Sequence, residues 1–161
     1  WQLATEQLDF VQPERFELEY TAEDGTKQRP VMIHKALLGS LERFMSVYIE
    51  HTAGVFPTWL APVQVLLAPV SGEKQGAGAE ALAAEWRAAG LRVEVDNANE
   101  TVGKKVRNAS GQKIPYIVVA GDRELAGEEL SVRVFGQEEP LKISAADFVA
   151  RVQTETRKRS R

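Results

Sequence analysis

The sequence predicts an α/β chain in two parts: an antiparallel strand-and-helix segment over residues 1–61, then a mixed-sheet α/β domain over residues 62–161. Three observations carry this. Before residue 34, apolar and polar residues alternate with period two around the turn signal Glu23-Asp24-Gly25. Phe56-Pro57-Thr58-Trp59-Leu60-Ala61-Pro62 has no helical period and marks a boundary. After it, short apolar runs alternate with helical stripes, the pattern of strands joined by crossovers.

Residues 1–10 read as a strand, with Leu8 and Phe10 alternating against Gln7 and Asp9, and Pro13 stops it. Phe16, Leu18 and Tyr20 alternate with Glu17, Glu19 and Thr21 in a second strand. Residues 27–33 return as a third, so the pair reads as an antiparallel hairpin. A helix is expected over residues 39–52. Leu41, Phe44, Met45, Tyr48 and Ile49 recur at spacings of three and four, which predicts a buried face. Gly54 and Pro57 end it.

Residues 63–69 form a short apolar strand, expected to be buried on both faces. Residues 71–78 read as a loop. Ala79, Leu82, Ala83, Trp86 and Ala89 make a helical stripe that Gly90 closes. A strand over 91–95, a short helix over 99–109 and a strand over 114–120 follow, with Pro115 near the last strand's start. Residues 121–124 are a turn. Residues 130–135 and 138–143 form a hairpin around Gly136. Ser144 with Asp147 resembles a capping box, opening a helix that buries Phe148, Val149 and Val152. Residues 157–161 are a basic tail expected to fray. The order β-α-β-α-β-β-β-α predicts a mixed sheet whose first strands are parallel through right-handed crossovers.

At 161 residues, 43% hydrophobic and 27% charged, the chain can build a core, and global disorder is excluded. A net charge of −3 argues against a generic nucleic-acid coat but leaves room for a local basic face. There are no cysteines, hence no disulfide framework and no thiolate metal site. No run of about 18 apolar residues is present to span a membrane, and no signal peptide is visible. Cytoplasm is the expected location. The chain begins Trp1-Gln2-Leu3, without Met and already in a strand-like pattern, so a piece of something longer is expected.

Chemistry centres on residues 30–44. An apolar strand over 31–33 runs into His34, then a Gly-Ser pair, then a helix carrying Glu42 and Arg43. His34 is either a structural histidine or a metal ligand. A zinc site needs three or four ligands, and the other histidine, His51, lies on the following helix, so co-ligands would have to come from elsewhere. Arg43 is either a solvated arginine paired with Glu42 or Glu50, or a planar fork for a purine or phosphate. Ser71-Gly-Glu-Lys-Gln-Gly-Ala-Gly78 lies between a strand and a helix. It matches neither G-x-x-x-x-G-K-[ST] nor G-x-G-x-x-G, so it reads as a flexible loop. Lys104, Lys105 and Arg107, with Asn108, Gln112 and Lys113 nearby, are either a solvated helix face or an RNA-binding edge.

Several segments together resemble one family. Trp1-Gln2, Thr5, Gln7 and Asp9-Phe10 resemble the strand between motifs 2 and 3 of class II aminoacyl-tRNA synthetases in their threonyl-tRNA synthetase form. Residues 30–44, with His34-Lys-Ala-Leu-Leu-Gly-Ser-Leu-Glu-Arg-Phe44, resemble motif 3. Residues 50–64, with Phe56-Pro57, Trp59-Leu60-Ala61-Pro62 and Gln64, resemble the bridge into the anticodon-binding domain. Asn99-Glu100, Gly103-Lys104, Arg107, Gln112 to Tyr116 and Gly121-Asp122 with Glu124 resemble that domain itself. The implied fold is a partial class II antiparallel core followed by a mixed-sheet anticodon-binding domain.

The resemblance implies roles. His34 matches one of three protein ligands of a zinc that holds the amino and hydroxyl groups of threonine. Gln2, Thr5 and Ser40 match the adenylate pocket, and Gln7 a residue beside the reacting tRNA end. Arg43 matches the motif 3 arginine on ATP, which enters with magnesium. Asn99, Glu100, Arg107, Glu124 and Arg133 match positions that contact the anticodon of tRNA(Thr). The full enzyme would be a homodimer ligating threonine to tRNA, with the remaining zinc ligands upstream. The rival is a non-catalytic tRNA-binding module derived from such an enzyme. Leu3, Glu6 and Lys35 depart from the family's usual residues.

Overall fold

The computed structural model describes residues 1–160; the last residue of the basic tail, Arg161, lies outside them. The chain divides into two compact units, Trp1–Ala53 and the remainder from Gly54 on.

The first unit holds β1 (Thr5–Asp9), a short helix α1 (Val11–Arg15), β2 (Tyr20–Thr21), β3 (Lys27–Gln28), β4 (Met32–Ala36) and α2 (Leu41–Thr52). β1 pairs antiparallel with β4, and β2 with β3. Several expectations change. The first strand is five residues rather than ten because β4 offers only five partners. Pro13 does not simply stop a strand. It sits buried in the first turn of α1, where its missing N–H would have no partner anyway. The alternation at residues 16–20 forms strand only at Tyr20, the one position of these with a paired neighbour, Gln28. The strand expected over 27–33 breaks at Pro30, which cannot donate to a ladder. His34 therefore lies inside β4 rather than after a strand end.

Ser40 caps α2, its Oγ accepting from the Arg43 amide at 3.2 Å. The helix forms as its period demands, yet no residue in it is buried. Leu41, Met45 and Ile49 are exposed, as are Leu8, Phe10, Phe16 and Ile33. Periodicity identifies an apolar face but cannot say what covers it.

The second unit holds β5 (Val65–Pro69), α3 (Gly72–Ala88), β6 (Val93–Val95), α4 (Val102–Gly111), β7 (Tyr116–Ala120), α5 (Asp122–Leu125), β8 (Leu130–Val134), β9 (Leu141–Ile143) and α6 (Ala145–Lys158). The sheet order is β6-β5-β7-β8-β9. β5 is parallel to β6 and β7, and β8 and β9 run antiparallel beyond them. This is the mixed sheet expected from the sequence. One sheet face buries Val65, Leu67, Tyr116, Val118 and Val132 against Ala83 and Trp86 of α3 and Phe148 and Val152 of α6. On the other face, Leu66 and Ile117 pack with Ala109 of α4. β5 is buried at every position, as a central strand covered on both sides must be.

Residues 72–78 are not a loop but the first two turns of α3, capped by Ser71. The glycines serve packing. A Cβ at Gly72 would stand 2.8 Å from the Asn97 carbonyl oxygen, and one at Gly76 would stand 3.0 Å from Asn97 Oδ1. Glycine lets the helix approach the chain after β6 more closely than any other residue would. Where a turn is expected at 121–124, α5 forms with Gly121 at its N-cap, and Ser144 caps α6 through the Asp147 amide at 3.1 Å. Arg157 and Lys158 complete α6 rather than fray.

Residues 54–62 pack on this second unit. Arg92 donates to the carbonyls of Ala61, Thr58 and Trp59, and Thr58 Oγ1 donates to Glu155 at 2.8 Å. Glu155 also accepts from the Tyr116 hydroxyl and from Arg151 Nε. No helix among the described residues is long and apolar enough to cross a membrane.

Candidate functional site

In the first unit, the β1–β4 register sets the site. Side chains alternate across a strand, so Thr5, Gln7 and Asp9 share one face, with His34 opposite Gln7. His34 Nε2 meets Asp9 Oδ2 at 2.9 Å. Asp9 Oδ1 accepts from the amides of Val11 and Gln12 at 2.9 and 3.0 Å, fixing the entry into α1. Those contacts hold the Asp9 carboxyl below its ordinary 3.8, the Gln12 amide contributing most and the His34 ring next. Asp9 is the residue that sequence reading missed. Its partnership with His34 depends on a strand pairing that no local spacing reveals.

The sign of the resulting pH effect is fixed. A carboxyl whose pKa is lowered in the fold stabilises it above the unfolded value and loses that contribution as pH falls through the folded value. Carbon-detected NMR titration is expected to give Asp9 a midpoint below 3.8. The midpoint should stay low in His34→Ala, since the larger cause is the Gln12 amide. A midpoint at or above 3.8 would mean that the turn is not formed.

Gln2, Thr5, Ser40 and Arg43 are brought together. Arg43 Nη1 reaches the Gln2 carbonyl at 3.5 Å, and Gln2 Nε2 donates to Thr5 Oγ1 at 2.5 Å. The main chain of Gln2 and Leu3 runs against Gly39, next to Ser40. On the opposite face of the ladder, Glu6 and Lys35 stand directly opposite and form an ion pair at 2.5 Å. These are two of the three positions expected to depart from the resembled pattern, and they pair with each other. Both side chains are more than half exposed, so the pair adds little stability.

Among the described residues there is no group of three His, Cys, Asp or Glu able to hold a metal. His34 can supply one ligand only. With Nε2 against Asp9, its Nδ1 is the free nitrogen, the arrangement of a ligand imidazole oriented by a carboxylate.

In the second unit, the carboxyl ends of β5, β6 and β7 lie together. The chain winds outward from β5 to β6 and back across to β7, so a topological switch point falls there. Asn99 and Glu100 are in the segment after β6, and Glu124 is in α5 after β7. Glu100 pairs with Lys104 at 2.6 Å, and Glu124 Oε2 accepts from the Gly121 amide at 3.1 Å. A cavity of about 440 Å³ beside Glu124 is lined by Arg123, Ser131 and Lys142, among others. Arg133 lies opposite Ile117, on the sheet face where α4 packs.

The basic helix presents fewer cations than its sequence suggests. Lys104, Arg107 and Asn108 share its exposed side, but Lys105 is fully buried. Its helical period with Ala109 places it on the inner face, where its Nζ donates to the carbonyls of Pro69 and Asp96 at 3.0 and 2.8 Å. A run of cations in sequence therefore presents two, not three, to solvent. Arg107 and Arg133 are both exposed.

A family model described as an anticodon binding domain matches residues 64–155, and one described as a class II tRNA synthetase core domain (G, H, P, S and T) matches residues 1–52. A threonine–tRNA ligase of Streptomyces avermitilis is 53% identical over 133 residues, covering 83% of this chain and 20% of that protein. One of Acidobacterium capsulatum is 48% identical over 154 residues, covering 96% of this chain and 22% of that protein. Among solved structures, the RNA binding domain of a threonyl-tRNA synthetase from Cryptosporidium parvum aligns with a TM-score of 0.86 at 30% identity. The alignment covers 96% of this chain and 39% of that one. The chain spans about a fifth of the length of these curated relatives.

Proposed function

The chain belongs to the anticodon binding domain family, and from that premise we propose that it is the tRNA-reading part of a cytoplasmic threonyl-tRNA synthetase, joined to the end of the catalytic core. The observation that carries this is the coincidence of the anticodon-domain match, residues 64–155, with the five-stranded sheet unit. In this reading the catalytic-core part runs to about residue 61, past the division between the compact units after Ala53.

In this reading, Asn99, Glu100, Arg107, Glu124 and Arg133 contact the anticodon of tRNA(Thr). Unstacked bases offer their edges to amides, carboxylates and guanidinium groups, while cations hold the backbone. Asn99 and Arg107 are free to do so as they stand, being exposed. Glu100 and Glu124 would exchange internal partners for RNA.

The first unit supplies one wall of the activation site. Gln2, Thr5 and Ser40 line the threonyl-adenylate, and Arg43 neutralises charge as pyrophosphate leaves ATP. Gln7 stands by the tRNA end. His34 is one zinc ligand, through Nδ1, with Asp9 fixing its orientation. When bound, the zinc supplies a Lewis-acid anchor for the amino and hydroxyl groups of threonine. A site that must bind the hydroxyl rejects valine better than an apolar pocket does. The complete enzyme acts as a homodimer in this reading.

Arg107→Ala tests the reading. It is expected to weaken binding of a tRNA(Thr) transcript about tenfold, on the scale of about 1–3 kcal/mol for a lost specific contact. In the complete enzyme it should leave threonyl-adenylate formation unchanged. Equal losses in filter-binding and pyrophosphate-exchange assays would remove Arg107 from the anticodon set.

A further inference from the structure

We propose that Lys105 is a positioning residue for RNA recognition: its buried ammonium clasps the carboxyl ends of β5 and β6, and so holds residues 97–100 in their binding conformation before RNA arrives. The proposal rests on the anticodon reading above and adds to it a residue that cannot itself touch RNA.

Lysine is among the residues least often fully buried, because its charge must leave water. Lys105 is 0% exposed. An apolar residue could fill the same space under α4 without that cost, so packing alone does not account for a lysine here. What the ammonium does is specific. It donates at 3.0 Å to the carbonyl of Pro69, the last residue of β5, and at 2.8 Å to that of Asp96, the residue following β6. These are adjacent parallel strands, and their carboxyl ends are where open α/β sheets hold ligands.

The segment 97–100 leaves Asp96 at one end and meets Thr101, the cap of α4, at the other. Lys105 ties both ends. Its amide donates to the Thr101 carbonyl at 3.1 Å, and its side chain reaches back to Asp96. Between these anchors, Asp96 Oδ1 accepts from the Ala98 amide and the Ala98 carbonyl accepts from the Glu100 amide. The Asn97 carbonyl is packed against Gly72. The main chain is thereby fixed while the Asn99 side chain stays exposed. Fixing a contact segment beforehand lowers the ordering cost of binding and sharpens discrimination between bases.

The test compares the unmodified chain with Lys105→Met, which keeps the volume and removes the donors. Each is titrated with a tRNA(Thr) transcript and with the same transcript carrying replaced anticodon bases, over a series of salt concentrations. With the fold retained by circular dichroism, Lys105→Met is expected to lose at least tenfold in cognate affinity and most of the cognate-to-replaced ratio. The slope of log affinity against log salt should not change, since a buried ammonium releases no counterions. A cation lost from a phosphate would flatten it by roughly 0.7–0.9. An unchanged ratio, or a flattened slope, would overturn the proposal. If the unmodified chain itself does not distinguish the two transcripts, the anticodon reading fails instead. Should Lys105→Met not fold, backbone order parameters of the free, unmodified chain decide. Values near 0.85 at Asn99 and Glu100 support a preformed segment, and values below about 0.6 overturn it.

Discussion

Phe148→Ala is expected to cost the second unit about 3–5 kcal/mol, a large share of the ~5–15 kcal/mol that holds an ordinary domain together. Phe148 is fully buried on α6. Its ring lies 5.3 Å from both Trp86 and Tyr116, tilted against one and edge-on to the other. The aromatic trio joins α3, β7 and α6, so truncation leaves a cavity between three elements that cannot collapse independently. Urea denaturation of the variant should show the midpoint falling steeply. Leu41→Ala, on α2, should by contrast stay within about 0.5 kcal/mol of the unmodified chain, because Leu41 is 59% exposed. In sequence the two residues look alike, each on the apolar stripe of an amphipathic helix. Comparable losses at both positions would mean that something covers α2 in solution.

That contrast marks how far the sequence could be read. The second unit was legible almost throughout. Each of its strands pairs with a neighbour in the same unit, so period-two runs became strands and 3.6-period stripes became buried faces. Residues 121–124 read as a turn but α5 forms over Asp122–Leu125, and residues 72–78 mislead because glycines suggest a loop. Here they serve the close approach of α3 to Asn97. The first unit was legible in pattern but not in outcome. Residues 16–20 alternate as a strand should, yet main-chain donors without a partner strand do not make a ladder. The period of α2 identifies its apolar face and says nothing of whether that face is covered.

The site divides in the same way. Residue types and spacing picked out His34 and Arg43, and register then placed Gln7 opposite His34. The role of Asp9 is not legible in sequence because its partner His34 lies 25 positions away, across a strand pairing. In sequence Lys105 is indistinguishable from its basic neighbours, because charge says nothing of facing. Only the position of Ala109, four residues on and buried, hints that Lys105 turns inward.

The 161-residue chain by itself is expected to show no threonine-dependent exchange between ATP and pyrophosphate. Ligand count and geometry decide this. Threonine activation in the proposed scheme needs a metal held by three protein ligands. The described residues offer His34, its Nε2 already turned to Asp9, and no group of three metal-binding side chains. Ser40 and Arg43 are exposed, as are the apolar side chains of Leu8, Phe10, Ile33 and Leu41 in the same unit. Orienting an attacking carboxylate on ATP requires groups on both sides of the reacting phosphorus. In a polypeptide that includes the upstream core, exchange should appear. His34→Ala there should lower both bound zinc, measured by atomic absorption, and the exchange rate. Full zinc content in His34→Ala would take His34 out of the ligand set. Threonine-dependent exchange by the 161-residue chain alone would mean that the residues gathered around Gln2, His34 and Arg43 form a working site without further protein ligands.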